Sequence, residues 1–313
     1  MKILTSPFLI AFAIVLSVMT SPAVAQTPSA SFDVGSVHVD KYGSGEPALI
    51  LIPGLTDSAA VWSGTIARFA PQHTVYAVTL GGFGGRAAPA APLLDKADAD
   101  IAAIITQQNI NRPVVVGHSM GGFLTLRLAA EHSSLLRGAI SVDGLPVLPG
   151  QENATPARRA AAAAQMTAPM RGLSGAQLEA AERQMILPYL NQANNIDAVA
   201  AAGRGADPGA TAEYLTEMYV ADLRSQLSSI TIPLLVLMPF DASIDPQNPQ
   251  TPFRTLAEKQ RYYAGLFANV KTARISAVNN SRHFVMYDQP EQFYTLVQNF
   301  LGQVALAGLS WAA

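Results

Sequence analysis

The chain repeats one pattern several times: a short apolar run, a turn rich in glycine or polar residues, and an amphipathic stretch. Continuous apolar runs predict strands covered on both faces, whereas apolar residues spaced three and four apart predict helices. The alternation predicts an α/β fold with a mostly parallel sheet and helices on both faces. The predicted strands are Ala48–Ile52, Thr74–Thr79, Pro113–Val116, Gly138–Val142, Ile232–Met238 and Lys271–Ser276.

The remaining elements are predicted from weaker signals. Residues 26–32 are expected to be a flexible start, and residues 34–42, which alternate moderately, predict one edge strand. Ser58 is expected to cap a helix that carries Trp62, Ile66 and Phe69 on its buried face. Further helices are predicted for Asp95–Gln108, for Arg254–Phe267 and from Pro290 onward.

Two segments differ in composition from this core. Residues 147–229 are rich in alanine and helical in pattern, which predicts a helical insertion between two parts of the core, 26–146 and 230–313. Residues 1–25 begin with Lys2, continue as an apolar run and end in Ala23-Val24-Ala25. This is typical of a secretory signal peptide cleaved after Ala25, and predicts export to the periplasm or the medium without a remaining membrane anchor.

Composition narrows the classes of function. The 313 residues are 50% hydrophobic and 13% charged with a net charge of −2, which argues against nucleic acid or anionic membrane as a partner. The chain has no cysteine, so thiol nucleophiles, disulfides and thiolate metal sites are excluded. Its five histidines are not spaced as a metal cluster. We therefore expect neither a metal nor a cofactor.

The most informative motif is Gly117-His118-Ser119-Met120-Gly121, which lies between a predicted strand and an amphipathic stretch. It fits G-x-S-x-G, in which a sharp turn holds a serine in a strained conformation at the end of a sheet. Side chains two positions either side of the serine would collide with the strand or the helix. The motif predicts that Ser119 is a nucleophile at a helix N-terminus, where free N–H groups favour negative charge.

These features resemble the α/β-hydrolase fold superfamily, in its esterase- and lipase-like serine hydrolases with a helical cap, over nearly all of the chain after residue 25. The resemblance implies that His283, in the loop after the last predicted strand, is the catalytic base. It also implies that the backbone N–H groups of Leu55 and Met120 form the oxyanion hole, although Pro53-Gly54 stands where the family usually has His-Gly. Arg282, beside the base, is expected to be a solvated loop residue, with contact to the substrate as the alternative.

The resemblance leaves the acid of the catalytic triad open. Asp241 follows the strand that usually carries this acid, and it is the first choice. Pro239-Phe240 replaces the glycine turn that is common before it, so Asp245 is an alternative. Asp143 is a further rival because it ends the strand after the nucleophile, where some α/β-hydrolases place their acid.

The resulting prediction is an exported hydrolase for a carboxylic ester or lactone of a small to medium, apolar molecule, acting through Ser119, His283 and Asp241. An amide or C–C bond hydrolase with the same triad is one alternative. A binding protein that keeps the fold without catalysis is another, and the intact serine and histidine argue against it.

Overall fold

Eight strands form one sheet in the order β1-β2-β4-β3-β5-β6-β7-β8 in the computed structural model, which describes residues 26–248 and 253–305. β2 pairs antiparallel with β1 and β4, and all other neighbours are parallel. The sheet agrees with the predicted fold class. The strands are β1 Ala30–Val34, β2 Val37–Tyr42, β3 Leu49–Ile52, β4 Val75–Thr79, β5 Val114–His118, β6 Gly138–Val142, β7 Leu234–Phe240 and β8 Ala273–Asn279.

Ten α-helices cover the sheet within the described residues. They are α1 Ser63–Phe69, α2 Leu93–Gln107, α3 Met120–Glu131, α4 Pro156–Arg171, α5 Gly175–Met185, α6 Ile196–Ala202, α7 Pro208–Val220, α8 Leu256–Leu266, α9 Val285–Asp288 and α10 Pro290–Ala305. Apolar side chains pack into two clusters, one on each face of the sheet. Trp62, Ile66 and Phe69 belong to the second cluster, as their spacing predicted.

The N-terminal edge of the sheet differs from the prediction. Part of the segment expected to be flexible forms β1, which pairs with β2 as a hairpin. The chain turns at Gly35, whose φ of 58° suits glycine, and the following Ser36 donates to Asp100 Oδ2 from its amide at 2.7 Å and its hydroxyl at 2.8 Å. The strands of the hairpin are adjacent in sequence, but the residue that holds their turn, Asp100, is 64 positions away from Ser36, and a local hydrophobic pattern does not reveal such a contact.

Four of the helices, α4 to α7, lie between β6 and β7, in the segment predicted to be a helical insertion. Three of them, α4, α5 and α7, begin with side-chain caps from Thr155, Ser174 and Asp207, respectively. The segment is also tied to the core, because the carboxylate of Glu217 on α7 accepts hydrogen bonds from the first two amides of α2 at 2.6 and 2.7 Å. Helix α6 also contacts the core, because the Ser58 hydroxyl donates to Ala202 O at 2.9 Å. The prediction that the Ser58 side chain caps the following helix is therefore wrong.

The predicted signal peptide, residues 1–25, lies outside the described residues. Within residues 26–248 and 253–305, no helix has the length and apolarity needed to cross a membrane.

Candidate active site

Ser119 stands on a tight turn between β5 and α3. Its φ of 54° and ψ of −117° are unusual for a residue with a side chain, and its amide is fixed by a 2.9 Å hydrogen bond to Val142 O on β6. A Cβ on Gly121 would lie 2.2 Å from Ile52 O, and one on Gly117 would lie 2.0 Å from Gly121 O. The glycines of the motif are therefore required by backbone contacts, as the sequence predicted.

His283 and Asp143 form a hydrogen-bonded pair at the ends of two other segments. His283 Nδ1 is 2.5 Å from Asp143 Oδ2, and the hydroxyl of Tyr263 on α8 donates to Asp143 Oδ1 at 2.6 Å. Burial works to raise the pKa of Asp143, but the hydrogen bond and charge of His283 act against it and hold the pKa below its ordinary value. The carboxylate is thus ionised at neutral pH and orients the imidazole.

Asp241, the first choice for this acid, does not contact His283. Its Oδ1 accepts from Ser243, from the amide at 2.9 Å and the hydroxyl at 2.6 Å, and its Oδ2 accepts from Arg282 Nε at 2.8 Å. Because both oxygens already have donors, the expectation that Asp241 is the partner of His283 is wrong, and Asp143 takes that place. Arg282 is also not a solvated residue, since its NH1 group donates to Leu190 O at 2.9 Å.

Asp245, the other alternative, is engaged as well. Its Oδ2 accepts from the amide of Asp241 at 2.7 Å, and its Oδ1 accepts from Lys259 Nζ at 2.6 Å. The ion pair with Lys259 is mostly buried. Asp245 therefore stabilises the loop after β7 and the start of α8.

The predicted oxyanion residues flank the serine. Met120 is the first residue of α3, so its N–H belongs to the helix N-terminus that has no intrahelical partner. Leu55 lies in the loop after β3, where a Cβ on the preceding Gly54 would be 3.4 Å from Ser119 Cβ. The next residue, Thr56, has a φ of 70°, which is strained for a β-branched side chain. The loop is thus held close to the serine in an unusual conformation.

His118 has a role that the sequence analysis did not assign. Its Nε2 lies 3.0 Å from the carbonyl oxygen of His283, so this nitrogen carries the proton and donates. Burial, with the charge of His283 acting in the same direction, lowers the pKa of His118 to about 3. His118 is therefore neutral and positions the His283 loop. No local signal in the sequence indicates this contact, because 165 positions separate the two residues.

The serine, histidine and Asp143 all line one cavity of about 400 Å³. Its walls are mainly apolar and come from the loop after β6 and from the helices between β6 and β7. Among the wall residues are Leu145, Leu148, Ile186, Tyr189, Leu215 and Met218. The volume and lining suit a small molecule with apolar parts.

The sequence is similar to parts of several known proteins. Lipase LipV of Mycobacterium tuberculosis is 34% identical over 116 residues, which cover 36% of this chain and 44% of LipV. The pimeloyl-[acyl-carrier protein] methyl ester esterase of Yersinia enterocolitica is 32% identical over 104 residues, which cover 33% of this chain and 39% of the esterase. The chain thus spans less than half the length of these curated relatives.

Solved structures resemble the whole fold. A thermophilic esterase from Thermogutta terrifontis has a TM-score of 0.70 at 18% identity and covers 88% of this chain and 99% of its own. The enol-lactonase from Burkholderia xenovorans LB400 has a TM-score of 0.66 at 20% identity, and the match covers 87% of this chain and 100% of the enol-lactonase chain. Residues 49–296 match the sequence model of the family described as the alpha/beta hydrolase family. The chain belongs to the alpha/beta hydrolase family.

Proposed function

We propose that this chain is a serine hydrolase that cleaves a carboxylic ester or lactone of a small to medium, largely apolar molecule. The observation that carries the proposal is the pair His283–Asp143, with its 2.5 Å hydrogen bond, in the same cavity as the strained Ser119. An aspartate that holds an imidazole beside a serine is the arrangement that activates a hydroxyl for attack on a carbonyl carbon.

The reaction proceeds in two halves. Ser119 Oγ attacks the carbonyl carbon while His283 takes the hydroxyl proton, and the N–H groups of Leu55 and Met120 stabilise the negative oxygen of the tetrahedral intermediate. His283 then gives the proton to the leaving alcohol, and an acyl group remains on Ser119. In the second half, His283 activates a water molecule that releases the acid. Asp143 keeps the imidazole in the tautomer that these transfers need.

Esters are favoured as substrates for two reasons. The cavity wall is mainly apolar, and the relatives with matching sequence include proteins named a lipase and a methyl ester esterase. Hydrolysis of p-nitrophenyl esters of increasing acyl length tests the proposal, with Ser119→Ala as the control. We expect turnover of short and medium esters by the parent chain, covalent labelling by a fluorophosphonate probe, and loss of both in the variant. A folded parent chain that neither hydrolyses any ester nor reacts with the probe would refute the proposal.

We also propose that the protein is exported, acts on a small molecule and has no nucleic-acid partner. The leader pattern of residues 1–25 and the near-neutral net charge of −2 support this. N-terminal sequencing of the protein from the cell envelope or medium is expected to begin at Gln26. A chain that keeps residues 1–25 in the cytoplasm would contradict the export proposal and leave the proposed reaction intact.

A further inference from the structure

Two further acidic side chains, apart from Asp143, line the same cavity as Ser119. Asp57 lies in the loop after β3, two residues beyond Leu55, and Glu182 lies on α5. Both are buried, with 4% of each residue exposed. The proposed reaction uses neither of them.

The two carboxyl groups have no cationic partner among residues 26–248 and 253–305. No salt bridge of this part of the chain includes Asp57 or Glu182. Moreover, Glu182 Oε1 is buried and accepts no hydrogen bond from the described residues. Burying a carboxylate without a partner is costly, and burial accordingly raises the pKa of Glu182 to about 7, with the charge of Glu179 adding to it and a hydrogen bond from Thr56 opposing it.

The same imbalance acts on the second carboxyl group. Burial, together with the charge of Glu182, raises the pKa of Asp57 well above its ordinary value. As the pH rises through neutrality the pair therefore takes up a negative charge that no described side chain neutralises. A buried carboxyl group that lines a cavity and lacks a partner is neutralised either by a proton or by a cation from outside the chain.

The position of the pair relates it to the chemistry. A Cβ on Gly54 would lie 3.2 Å from Asp57 Oδ2 and 3.4 Å from Ser119 Cβ, so the carboxyl group and the nucleophile border the same small space. On the other side, a Cβ on Gly203 would lie 2.9 Å from Glu182 Oε2. Glycine at that position leaves room for the acidic side chain at the cavity wall.

We propose that Asp57 and Glu182 form a subsite that binds an ammonium group of the substrate while Ser119 attacks the carbonyl carbon. An ammonium group supplies the positive charge that the pair lacks, and its alkyl substituents suit the neighbouring apolar wall. The inference rests on the proposed ester hydrolysis and narrows its substrates to esters that carry an organic monocation. Because Asp57 Oδ2 and Ser119 Cβ lie within 3.4 Å of the same point beside Gly54, a cation bound at Asp57 is only a few bonds from the ester carbonyl.

A pair of isosteric esters tests the proposal. Acetylcholine and 3,3-dimethylbutyl acetate have the same shape, but carbon replaces the charged nitrogen in the second, so the ratio of their kcat/KM values reports the charge alone. We expect the parent chain to prefer the cationic ester by about tenfold or more, and Glu182→Gln to remove most of that preference. Glu179→Gln is the matched control: Glu179 lies on the same helix, α5, but is exposed and does not line the cavity, and the substitution removes the same charge. It is expected to keep the ratio.

Binding separates the subsite from catalysis and requires no variant. Calorimetric titration of the parent chain with choline and with 3,3-dimethylbutan-1-ol is expected to show about tenfold tighter binding of choline. If choline binds preferentially while neither ester is hydrolysed, the subsite is supported and the proposed hydrolysis is rejected. Equal binding of the two alcohols overturns the subsite, as does a kcat/KM ratio that Glu182→Gln leaves unchanged. Hydrolysis of both esters at equal rates likewise overturns the subsite and leaves the proposed hydrolysis standing.

Discussion

Replacing Asp143 by asparagine is the sharpest test of the site's geometry. The asparagine side chain keeps the size of the aspartate, and its amide oxygen can still accept from Tyr263. The group that faces His283 Nδ1, however, changes from a carboxylate oxygen, which accepts at 2.5 Å, to an NH2 group, which donates. The imidazole is then expected to adopt the other tautomer, with its proton on Nε2, the nitrogen that should accept the proton of Ser119. The perturbation therefore removes the base without removing the histidine.

The expected loss can be estimated from that tautomer change. Aspartate-to-asparagine changes in such triads lower kcat about 10⁴-fold, which corresponds to about 5.5 kcal/mol of transition-state stabilisation. The assay is steady-state hydrolysis of a p-nitrophenyl ester, with circular dichroism and thermal unfolding to establish that the variant is folded. We expect kcat/KM to fall at least about 10³-fold with a smaller change in KM, since the substrate contacts remain.

Asp241→Asn is the matched control, because Asp241 directly follows the neighbouring strand β7 and its carboxylate is also held by hydrogen bonds. This variant weakens the contact with Arg282, next to His283, and is expected to lower kcat/KM by no more than about tenfold, the effect of one weakened supporting contact. The reasoning is refuted if Asp143→Asn keeps more than a tenth of the activity. It is also refuted if Asp241→Asn loses as much as Asp143→Asn.

Four further substitutions address stability, and the free energy of unfolding of each variant is measured by urea denaturation. Gly121→Ala places a methyl group 2.2 Å from Ile52 O and is expected to lower the free energy of unfolding by about 3 kcal/mol or to prevent folding. Gly265→Ala is the control: Gly265 lies on α8 with open space around it, and the substitution is expected to stabilise the protein by about 0.5 kcal/mol. Equal effects of the two substitutions would contradict this reasoning. The pKa of Glu182 rises on folding from 4.5 to about 7, so its contribution to stability is full below pH 4.5 and is lost as the pH rises through 7. Glu182→Gln is therefore expected to gain up to about 3 kcal/mol on the parent chain between pH 4.5 and 8, and parallel pH profiles would refute it. Glu217→Ala leaves the first two amides of α2 without their acceptor and is expected to cost about 2 kcal/mol, while no measurable loss would show that water replaces the carboxylate.

The parts of the fold that local pattern determines could be predicted from sequence. The central strands are apolar throughout because helices cover both faces, and the positions of Gly117 and Gly121 follow from the backbone contacts of the turn. The sequence also indicated His283 as the proposed base, from its place in the loop after the last strand of the sheet, and the structure has it in the same cavity as Ser119. The hairpin at the N-terminus was missed because β1 is mostly exposed and therefore carries little hydrophobic pattern. The contact of Ser36 with Asp100, which holds the turn of the hairpin, joins segments that are distant in sequence.

The acid could not be chosen from sequence for a physical reason. Asp143 and Asp241 both follow buried strands, so hydrophobic pattern treats them alike. What separates them is the side chain that reaches each: Arg282 turns back to Asp241, whereas Tyr263 and His283 converge on Asp143. A φ of 47° at Asp143 also directs its side chain, and this backbone conformation has no signature beyond the tolerance of aspartate for it. Glu182 could not be assigned to the site for the same reason, because nothing in the sequence of α5 indicates that this residue lines the same cavity as Ser119.

The order of the site along the chain bears on when the protein becomes reactive during its synthesis. Ser119 follows β5 and Asp143 follows β6, but His283 lies beyond β8, which joins the sheet by pairing with β7 through seven residue positions. A ribosome that has produced only the first two thirds of the chain has therefore released Ser119, but not yet His283, the base that we propose for it. Domains of this size acquire their final packing late in translation. Hydrolytic capacity would consequently arise in a single late step, and nascent or C-terminally truncated chains would carry an inert serine.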